Sequence, residues 1–482
     1  MKYLLSIFLL IFSLFPAQAA NETSINFGLS AGNEPRTLCA FDTTHTCVAI
    51  GSLDSVAHTF APASAVGSLI AGINIWSGYN TFTNGIKIAG TVQEPTGLRQ
   101  VATRSYIPTL LMSNQQCMAR TMHVARDSIT SLQTAYASWI GKASNGEQNT
   151  PQNLTIYASV EYPAGTFTQF KWGGSTFSTQ LPGANYLSDA LAVSIPKNAT
   201  FWMRAYITTS TGTSGMPFTG SGDANAGPVY PAGGDALNCG ASVSNLTMSG
   251  TVTDNQSNQA AIYPVALVAQ TSTRSVIIYG DSIAWGYRDS PMQGGDTGVI
   301  AHSIGPYMPY INASVFGDSV NGLANGYAKR QALSAYATDV IVQTGINDIS
   351  VGYSENTVKA NLRTIWGLFP GKPVYQATYL PYTTSTDSFA TVANQTQFAN
   401  DNIRQDINDY FRMVPDANLA GVVELADQVE NYRGGGKWAV LGQQCTGYCQ
   451  YTYDGLHPNI VANIFIARTG AVLTALQAGR FK

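Results

Sequence analysis

A serine, an aspartate and a histidine in this chain have the types and spacing of a nucleophile, the base that activates it and the carboxylate that orients the base. Ser282 directly follows the run Val276 to Asp281, in which an apolar strand candidate ends at Gly280. Asp454 and His457 lie in one turn, so the carboxylate can hold one imidazole nitrogen while the other nitrogen faces Ser282. Because a serine hydroxyl needs such an oriented base to attack a carbonyl, these residues predict a catalytic triad.

Two further segments offer hydrogen-bond donors for the oxyanion that forms when a carbonyl is attacked. Residues 321–326 follow the second strand candidate and end at Gly326, where the missing side chain lets a backbone amide approach a ligand. Residues 345–348 follow the third strand candidate and include Asn347, which offers a side-chain amide. Together with the amide of Ser282 at a helix start, we expect these residues to form an oxyanion hole.

The other histidines are weaker candidates for the base. His45 and His58 lie in a β-rich region, where a surface position is the simpler interpretation, and His123 lies in a segment with helical spacing. His302 follows the Ser282 loop and could reach the site, but no carboxylate is adjacent to it in the sequence. His457 is therefore the expected base.

A second Gly-Asp-Ser, Gly317 to Ser319, could compete with the first. It ends the second strand candidate and runs directly into the segment that ends at Gly326, which leaves that glycine too close behind Ser319. We expect no helix to begin after it and interpret Ser319 as a hydrogen-bonded strand end. No Gly-x-Ser-x-Gly elbow occurs in the chain, which argues against the other common serine-hydrolase fold.

The elements that must position these residues alternate between strand and helix from about residue 272. Strands are predicted over Arg274 to Tyr279, Ala313 to Ser319, Asp339 to Gln343, Pro373 to Tyr379 and Gly421 to Leu425, and helices over Thr357 to Leu368, Phe389 to Phe411 and Pro458 to Ala478. This alternation favours a parallel sheet covered by helices on both faces.

Residues 20–265 are instead rich in Gly, Ser, Thr and Asn and show strand periodicity. The runs Leu154 to Glu161, Ala190 to Pro196 and Phe201 to Thr208 indicate an antiparallel sandwich, interrupted by one helix over Val124 to Ile140. A boundary between about 255 and 272 gives a β-rich accessory domain, 20–265, and a hydrolase domain, 272–482. A further division of the accessory domain into about 20–100 and 101–265 stays open.

The first nineteen residues have the pattern of a secretory signal peptide. Lys2 precedes the apolar stretch Leu4 to Phe15, and Ala17 to Ala19 has the small-x-small form of a cleavage site. Cleavage after Ala19 predicts a secreted or periplasmic protein. The alternative, a membrane anchor, needs about twenty apolar residues, which neither this stretch nor any later one reaches, so we expect no transmembrane anchor after cleavage.

Export would place the six cysteines in an oxidising compartment, where they can form disulfides. The sequence does not fix the pairing. Proximity and elimination suggest Cys39 with Cys47, Cys445 with Cys449, and Cys117 with Cys239. Zinc is the alternative for Cys445 and Cys449, but no second ligand pair lies beside them. The net charge of −3 and the absence of a basic run argue against nucleic acid or an anionic membrane surface as a partner.

In their order along the chain, the motifs resemble the four sequence blocks of the SGNH, or GDSL-type, hydrolases. These motifs are Gly280-Asp281-Ser282-Ile283, Gly326, Gly345-x-Asn347-Asp348 and Asp454-x-x-His457. The resemblance covers about residues 272 to 482, with Ile283 where leucine is usual. It implies a flavodoxin-like three-layer α/β fold and an acyl-enzyme on Ser282, with His457 as base, Asp454 as its partner, and Gly326 and Asn347 as oxyanion donors. It implies no metal, and we expect no cofactor.

Together these observations favour an exported serine esterase that removes small acyl groups, above all O-acetyl groups, from a carbohydrate or cell-envelope polymer. One alternative is a lipase, lysophospholipase or thioesterase, whose acyl groove could be lined by Trp285, Tyr287, Tyr307 and Met308. Another is a glycan-binding surface protein whose aromatic residues either stack on sugars or fill a core. Those residues are Trp76, Tyr79, Trp172, Phe201 and Trp202.

Overall fold

The computed structural model describes two compact units of the chain, residues 1–91 and 92–482. The described residues are 94–143, 146–209, 215–220, 227–229, 231–256, 260–291, 294–413, 416–441 and 450–479, with the backbone of four strands in the first unit. Those strands, β1 (Asn26–Leu29), β2 (Thr37–Phe41), β3 (Cys47–Leu53) and β4 (Phe60–Pro62), form one antiparallel sheet in chain order. The signal peptide, His45, His58, the side chains of Cys39 and Cys47, and the segment with Cys445 and Cys449 lie outside the described residues.

Residues 97–271 of the second unit are rich in strands, as predicted. These strands are β5 (Gly97–Gln100), β6 (Ser105–Tyr106), β7 (Leu110–Met112), β8 (Gln116–Val124), β9 (Ile129–Ala135), β10 (Trp139–Lys142), β11 (Gly146–Asn149), β12 (Leu154–Glu161), β13 (Phe167–Gln169), β14 (Ser178–Gln180), β15 (Leu191–Ile195), β16 (Thr200–Thr209), β17 (Met216–Phe218), β18 (Ala236–Gly240) and β19 (Ala266–Thr271). One antiparallel sheet has the order β13-β12-β16-β8-β18 and another β15-β9-β19-β5. Both contribute to one apolar cluster, to which alternate residues of β12 and β16 point. The sandwich itself stays a prediction.

The predicted helix over Val124 to Ile140 is wrong. The segment forms the end of β8, the whole of β9 and the start of β10. Ile129, Leu132 and Ala135 have spacing that suits a helix, but β9 pairs with β15 and β19, with Ile129 opposite Ile195. These partners are distant in sequence, and their pairing outweighs a weak local preference.

The predicted pair Cys117 and Cys239 is confirmed as a disulfide. The two residues face each other across β8 and β18, with Cα atoms 4.2 Å apart, and join segments separated by 122 residues. Each other predicted pair involves side chains outside the described part of the chain.

The second half of the unit contains the predicted parallel sheet. Its elements are strands β20 (Val276–Gly280), β21 (Tyr310–Asn312), β22 (Asp339–Gln343), β23 (Val374–Ala377), β24 (Thr383–Ser385), β25 (Gln395–Gln397) and β26 (Gly421–Val423) and helices α1 (Ser282–Trp285), α2 (Val299–Ile304), α3 (Val320–Asn325), α4 (Ala328–Leu333), α5 (Ile346–Ser350), α6 (Glu355–Trp366), α7 (Asp401–Met413), α8 (Ala426–Val429), α9 (Ile460–Thr469) and α10 (Ala471–Ala478). The sheet order is β26-β23-β22-β20-β21-β6, and every pair is parallel. Without β6 this is the flavodoxin-like order.

Helices cover both faces of this sheet, because successive strand residues point to opposite sides. Ile277 and Tyr279 of β20 belong to an apolar cluster with residues of α3, α4, α6 and α7. Val276 and Ile278 belong to a second cluster with residues of α2, α8, α9 and α10. The strands are therefore buried on both sides, which fits the three-layer fold that the sequence resemblance implied.

Three predicted elements have different bounds in the structure. The strand predicted over Ala313 to Ser319 lies earlier in the chain, at Tyr310–Asn312. The residues after it turn at Gly317, where φ is 73°. The helix predicted over Phe389 to Phe411 begins only at Asp401, because Ser388 and Phe389 have positive φ and β25 intervenes. The last predicted helix is two helices, which Gly470 separates with a φ of 71°.

The β-rich part contributes directly to the parallel sheet. Ser105 and Tyr106 of β6 pair in parallel with Ile311 and Asn312 of β21, and Ile107 packs in the same apolar cluster as Ile277. The predicted domain boundary between 255 and 272 thus falls inside the compact unit 92–482.

Within the described part of the chain, no single helix has both the length and the apolar composition needed to cross a membrane. The adjacent helices α9 and α10, bent by 41°, reach those limits only when they are counted together.

Candidate active site

The turn after β20 presents Ser282 at the start of a helix. Asp281 is the N-cap of α1, and its Oδ1 accepts a hydrogen bond from the Ile283 amide at 2.9 Å. Gly280 is required here, because a Cβ at this position would lie 2.3 Å from the Cβ of Ala284. Ser282 is only 4% exposed. The turn therefore holds its hydroxyl in a fixed place at the carboxyl end of the sheet.

His457 and Asp454 are brought to Ser282 as the sequence predicts. The Nε2 atom of His457 lies 2.8 Å from the Ser282 Oγ, and its Nδ1 atom lies 2.8 Å from the Asp454 Oδ2. Oδ1 of the same carboxylate accepts the amides of Leu456 and His457 at 3.0 and 2.9 Å. Burial alone would raise the pKa of Asp454, but the hydrogen bonds and charge of His457 lower it to about 2. The carboxylate is thus ionised and can hold the imidazole in one orientation.

The turn that carries this pair depends on Gly455. Its φ is 84°, and a Cβ there would come within 1.8 Å of the Thr383 carbonyl oxygen. The helix after the turn begins at Ile460, and its N-cap is Asn459, whose side chain accepts the amides of Val461 and Ala462. Pro458 therefore precedes this helix instead of starting it.

The segment after β21 runs alongside the end of β20 and leads to Gly317. The amides of Ala313 and Val315 donate to the carbonyls of Ile278 and Gly280 at 2.8 and 3.0 Å. Gly317 comes two residues after Val315, with a φ of 73° that favours glycine. Among the described residues, neither the Ser282 amide nor the Gly317 amide has a hydrogen-bond acceptor.

Asn347 reaches the same segment from α5, whereas Gly326 does not. The Nδ2 of Asn347 donates to the carbonyl oxygen of Asp318 at 2.7 Å, so its amide lies next to Gly317. The amide of Gly326 instead donates to the carbonyl of Leu323, within the same turn of α3. A Cβ on Gly326 would lie 2.6 Å from the Cα of Gly146. These contacts place Gly326 at the end of α3, where it packs against β11.

Ser319 has a different role from the predicted strand end. A helix does begin after it, and Ser319 is its N-cap, accepting the Gly322 amide at 2.9 Å. The expectation that no helix follows is therefore wrong. The side chain is engaged at the start of α3 and makes no contact with a histidine among the described residues.

His302 has a carboxylate partner after all. Its Nε2 lies 2.6 Å from the Asp289 Oδ2, and both side chains are fully buried. The sequence could not suggest this pair, because a loop of the chain folds back to form it. His123 is also buried, on β8, with its Nδ1 against the Thr103 carbonyl. Each of these rings is thus held by partners other than Ser282.

Carboxyl groups lie behind the site as well. Burial raises the pKa of Asp281 to about 8, and the charges of Asp318 and Asp348 contribute to the shift. Burial also raises the pKa of Asp348 to about 6, against the hydrogen bonds that its oxygens accept from the amides of Asn321 and Val320. Among the described residues, no group of three or more His, Cys, Asp and Glu side chains could hold a metal ion.

Two residues that the sequence did not single out for catalysis border the triad. The Tyr287 ring packs edge-on against His457, with centroids 4.7 Å apart, and against Phe316 at the same separation. Arg288 follows it, with its Nε 3.8 Å from the Asp454 Oδ2. The signal in the sequence for their place beside the triad is that both residues follow Ser282 closely. Trp285, predicted as a groove residue, is completely buried, and Tyr307 is 63% exposed.

Comparisons with known proteins identify the same half of the chain. The family model of the GDSL-like lipase/acylhydrolase family matches residues 278–461. No curated protein matches the chain.

Among solved structures, a lipolytic G-D-S-L family protein from Veillonella parvula is 16% identical, with 40% of this chain and 94% of that chain covered and a TM-score of 0.28. A carbohydrate esterase family 2 enzyme with a carbohydrate binding domain, from Corynascus thermopiles, is 12% identical, with 79% and 100% covered and a TM-score of 0.28. Est24, a carbohydrate acetylesterase from Sinorhizobium meliloti, is 16% identical, with 42% and 99% covered and a TM-score of 0.27.

The family match includes Ser282, Gly317, Asn347, Asp454 and His457, and it confirms the family that the sequence blocks indicated. Over residues 278–461, this chain therefore carries a domain of the GDSL-like lipase/acylhydrolase family.

Proposed function

We propose that this protein is an exported serine esterase that removes small acyl groups, O-acetyl above all, from a carbohydrate or cell-envelope polymer. Two contacts carry the proposal. The Ser282 Oγ lies 2.8 Å from the Nε2 of His457, and the Nδ1 of His457 lies 2.8 Å from the Asp454 Oδ2. That arrangement suits removal of a proton from the serine hydroxyl as it attacks an ester carbonyl.

In the first half of the reaction, the Ser282 Oγ bonds to the carbonyl carbon and its proton moves to the Nε2 of His457. The charge that develops on the carbonyl oxygen is stabilised by the amides of Ser282 and Gly317 and by the Nδ2 of Asn347. Here Gly317 takes the role that the sequence resemblance implied for Gly326. The imidazolium then protonates the leaving alkoxide, so that the alcohol departs and an acyl-enzyme remains.

In the second half, His457 removes a proton from a water molecule, and the water oxygen attacks the acyl carbon. The bond to the Ser282 Oγ then breaks, and the imidazolium returns its proton to that oxygen, which releases the carboxylic acid. Asp454 stabilises the imidazolium in both halves, and its pKa of about 2 keeps it ionised throughout.

The packing around the triad supports a small acyl group. The Tyr287 ring packs against both His457 and Phe316, and Trp285, which contacts Phe316, is fully buried. Met308 packs against the apolar cluster that contains Val276 and Ile278, so three of the four side chains predicted for an acyl groove are engaged in packing. Of the rings predicted for glycan stacking, Phe201 is completely buried and Trp202 packs on the Arg120 guanidinium at 4.3 Å. Trp76 and Tyr79 lie outside the described residues.

The signal-like start of the chain and the Cys117–Cys239 disulfide support export, because disulfides persist mainly in oxidising compartments. The mass of the mature protein recovered from a secreting host tests this part of the proposal. Cleavage after Ala19 is the expected result, and an uncleaved chain that stays inside the cell would contradict it.

The mechanism is tested by Ser282→Ala, with Ser319→Ala as the matched control in the other Gly-Asp-Ser. Hydrolysis of p-nitrophenyl acetate should fall at least about a thousandfold in Ser282→Ala, because the nucleophile is lost, and stay unchanged in Ser319→Ala. Full activity in Ser282→Ala would overturn the mechanism. Release of acetate from a panel of acetylated polysaccharides by the same variants then tests the substrate.

The lipase alternative is separated by a series of p-nitrophenyl esters of increasing acyl length. For an acetylesterase, kcat/KM should be highest for acetyl and fall as the chain lengthens. A clear preference for long acyl chains would instead favour the lipase or thioesterase assignment.

A further inference from the structure

Arg288 is held in an unusual backbone conformation at the edge of the triad. Its φ is 65°, in the left-handed region that a residue with a long side chain rarely adopts. The preceding turn fixes it there, since the amides of Gly286 and Tyr287 both donate to the Ser282 carbonyl, at 3.0 and 2.9 Å. Strained residues of this kind persist where the surroundings hold them, and they concentrate at active sites and ligand clamps.

The guanidinium of Arg288 has defined neighbours but no short hydrogen bond to the described residues. Its carbon lies 5.1 Å from the centroid of the Tyr287 ring, which itself packs against His457. The nearest carboxylate contact is the Asp454 Oδ2, 3.8 Å from Nε, which is too long for a hydrogen bond. Among the described residues, no acceptor lies within hydrogen-bond distance of Arg288, and its side chain is 55% exposed.

Other arginines of the chain show what a structural role looks like here. Arg104, Arg330 and Arg404 are buried, and each donates to a carboxylate at 2.6 Å. Arg288 has neither the burial nor the short contact. Asp454 cannot serve as its full partner, because that carboxylate already accepts hydrogen bonds from the ring and amide of His457 and from the amide of Leu456.

We infer that Arg288 binds a carboxylate group of the substrate and makes this enzyme selective for anionic esters. The inference rests on the proposed function, in which Ser282 attacks the ester beside it. A guanidinium offers parallel N–H donors that match the two oxygens of a carboxylate, and its charge stays fixed over the working pH range. The carboxylate can belong to the acyl group or to the alcohol, as in the uronic acid units of an acidic polysaccharide.

The test uses the full-length protein and Arg288→Asn, because asparagine tolerates a positive φ and should preserve the backbone. Initial rates are measured on a neutral ester, p-nitrophenyl acetate, and on an anionic one, mono-p-nitrophenyl succinate. A second pair, acetylated xylan and acetylated polygalacturonate, places the carboxylate on the alcohol side. The measured quantity is the ratio of kcat/KM for the anionic substrate to kcat/KM for its neutral partner.

For at least one of the two pairs, that ratio should fall about tenfold to a hundredfold in Arg288→Asn, mainly through KM, because a hydrogen-bonded charge pair is lost. Which pair responds identifies the side that carries the carboxylate. In the wild type, KM for that anionic substrate should rise with ionic strength. Arg363→Gln is the matched control, since Arg363 lies on α6, is 53% exposed and pairs with Asp416, and this variant should leave both ratios unchanged.

Equal losses on neutral and anionic substrates, through kcat and with an altered pH profile, would overturn the inference and make Arg288 a support for Asp454. Ratios that stay at the wild-type value for both pairs would overturn it as well. Failure of the proposed function looks different, because Ser282→Ala would then keep its activity on the neutral ester.

Discussion

The carbonyl of Asp318 and the side chain of Asn347 are joined by a hydrogen bond of 2.7 Å, which aligns an amide with the Gly317 segment. If Asn347 stabilises the oxyanion, Asn347→Ala should lower kcat on p-nitrophenyl acetate about a hundredfold or more, with a much smaller change in KM. Ser350→Ala is the control, because this exposed residue lies on the same short helix and bonds the Asn347 carbonyl. A rise in KM with an unchanged kcat would instead assign Asn347 to substrate positioning.

Asp281 makes a pH-dependent contribution to stability. Its pKa in the folded protein is raised to about 8, mainly by burial, whereas the pKa of an aspartate in the unfolded chain is about 3.9. Between these values the folded state binds more protons than the unfolded state, so the free energy of unfolding falls as pH rises. The contribution is fully present below about pH 4 and is lost as pH rises through about 8.

Asp281→Asn should remove this dependence while keeping the cap, because an asparagine Oδ1 can also accept the Ile283 amide. Urea unfolding at pH 4.5 and pH 8.5 is the measurement. Relative to wild type, the variant should gain stability between the two pH values, and Asp406→Asn on the exposed face of α7 is the control. An identical pH response in wild type and Asp281→Asn would show that the Asp281 carboxyl does not titrate in this window.

At the scale of elements, the two Gly-Asp-Ser segments show how one local sequence serves two purposes. In the first, Asp281 caps α1 and Ser282 becomes free to face His457, whereas in the second Ser319 itself caps α3. Ser319→Ala should therefore lower the free energy of unfolding by about 1 kcal/mol, as measured by urea unfolding. Ser319→Asn should restore that loss, since asparagine caps equally well, and both variants should keep the wild-type kcat.

Much of the site could be predicted from the sequence, because its motifs directly follow strands of one parallel sheet. The carboxyl ends of parallel strands meet at one edge, so Ser282 after β20 and Asn347 after β22 had to lie close together. The sequence predicts Gly326 as the oxyanion glycine because it places the second strand too late, over 313–319. Because β21 ends at Asn312, the first glycine after the strand is Gly317, where the chain turns with a positive φ.

The elements that the sequence did not predict depend on distant partners. The segment 124–140, predicted as a helix, is one whole β-strand, β9, with the last residue of β8 and the start of β10, because β15 and β19 pair with β9. The two-residue strand β6 is too short to be recognised from periodicity. It forms because its backbone pairs with β21 at the edge of the parallel sheet. The pair of His302 and Asp289 likewise needs a folded loop.

At the scale of the whole molecule, the β-rich part completes the hydrolase domain. It supplies β6 to the edge of the parallel sheet and places Ile107, Trp139 and Val268 in the cluster that lies under α3 and α6. Glu147 on β11 also accepts the amides of Lys329 and Arg330, at 2.9 and 2.7 Å, and thereby caps the start of α4. Removal of residues 92–271 would leave these groups of the hydrolase half exposed or without partners.

Residues 272–482 alone should therefore fail to form a stable domain, whereas residues 92–482 should fold. Each large apolar side chain that loses its burial costs about 1.5–3 kcal/mol, and several such losses approach the 5–15 kcal/mol that stabilises a typical domain. Near-UV circular dichroism and thermal unfolding of the two fragments are the measurements. A cooperative transition and wild-type kcat in fragment 272–482 would show that the predicted boundary near residue 265 separates independent domains. If only fragment 92–482 has both, the β-rich part is needed to hold Ser282 and His457 in place.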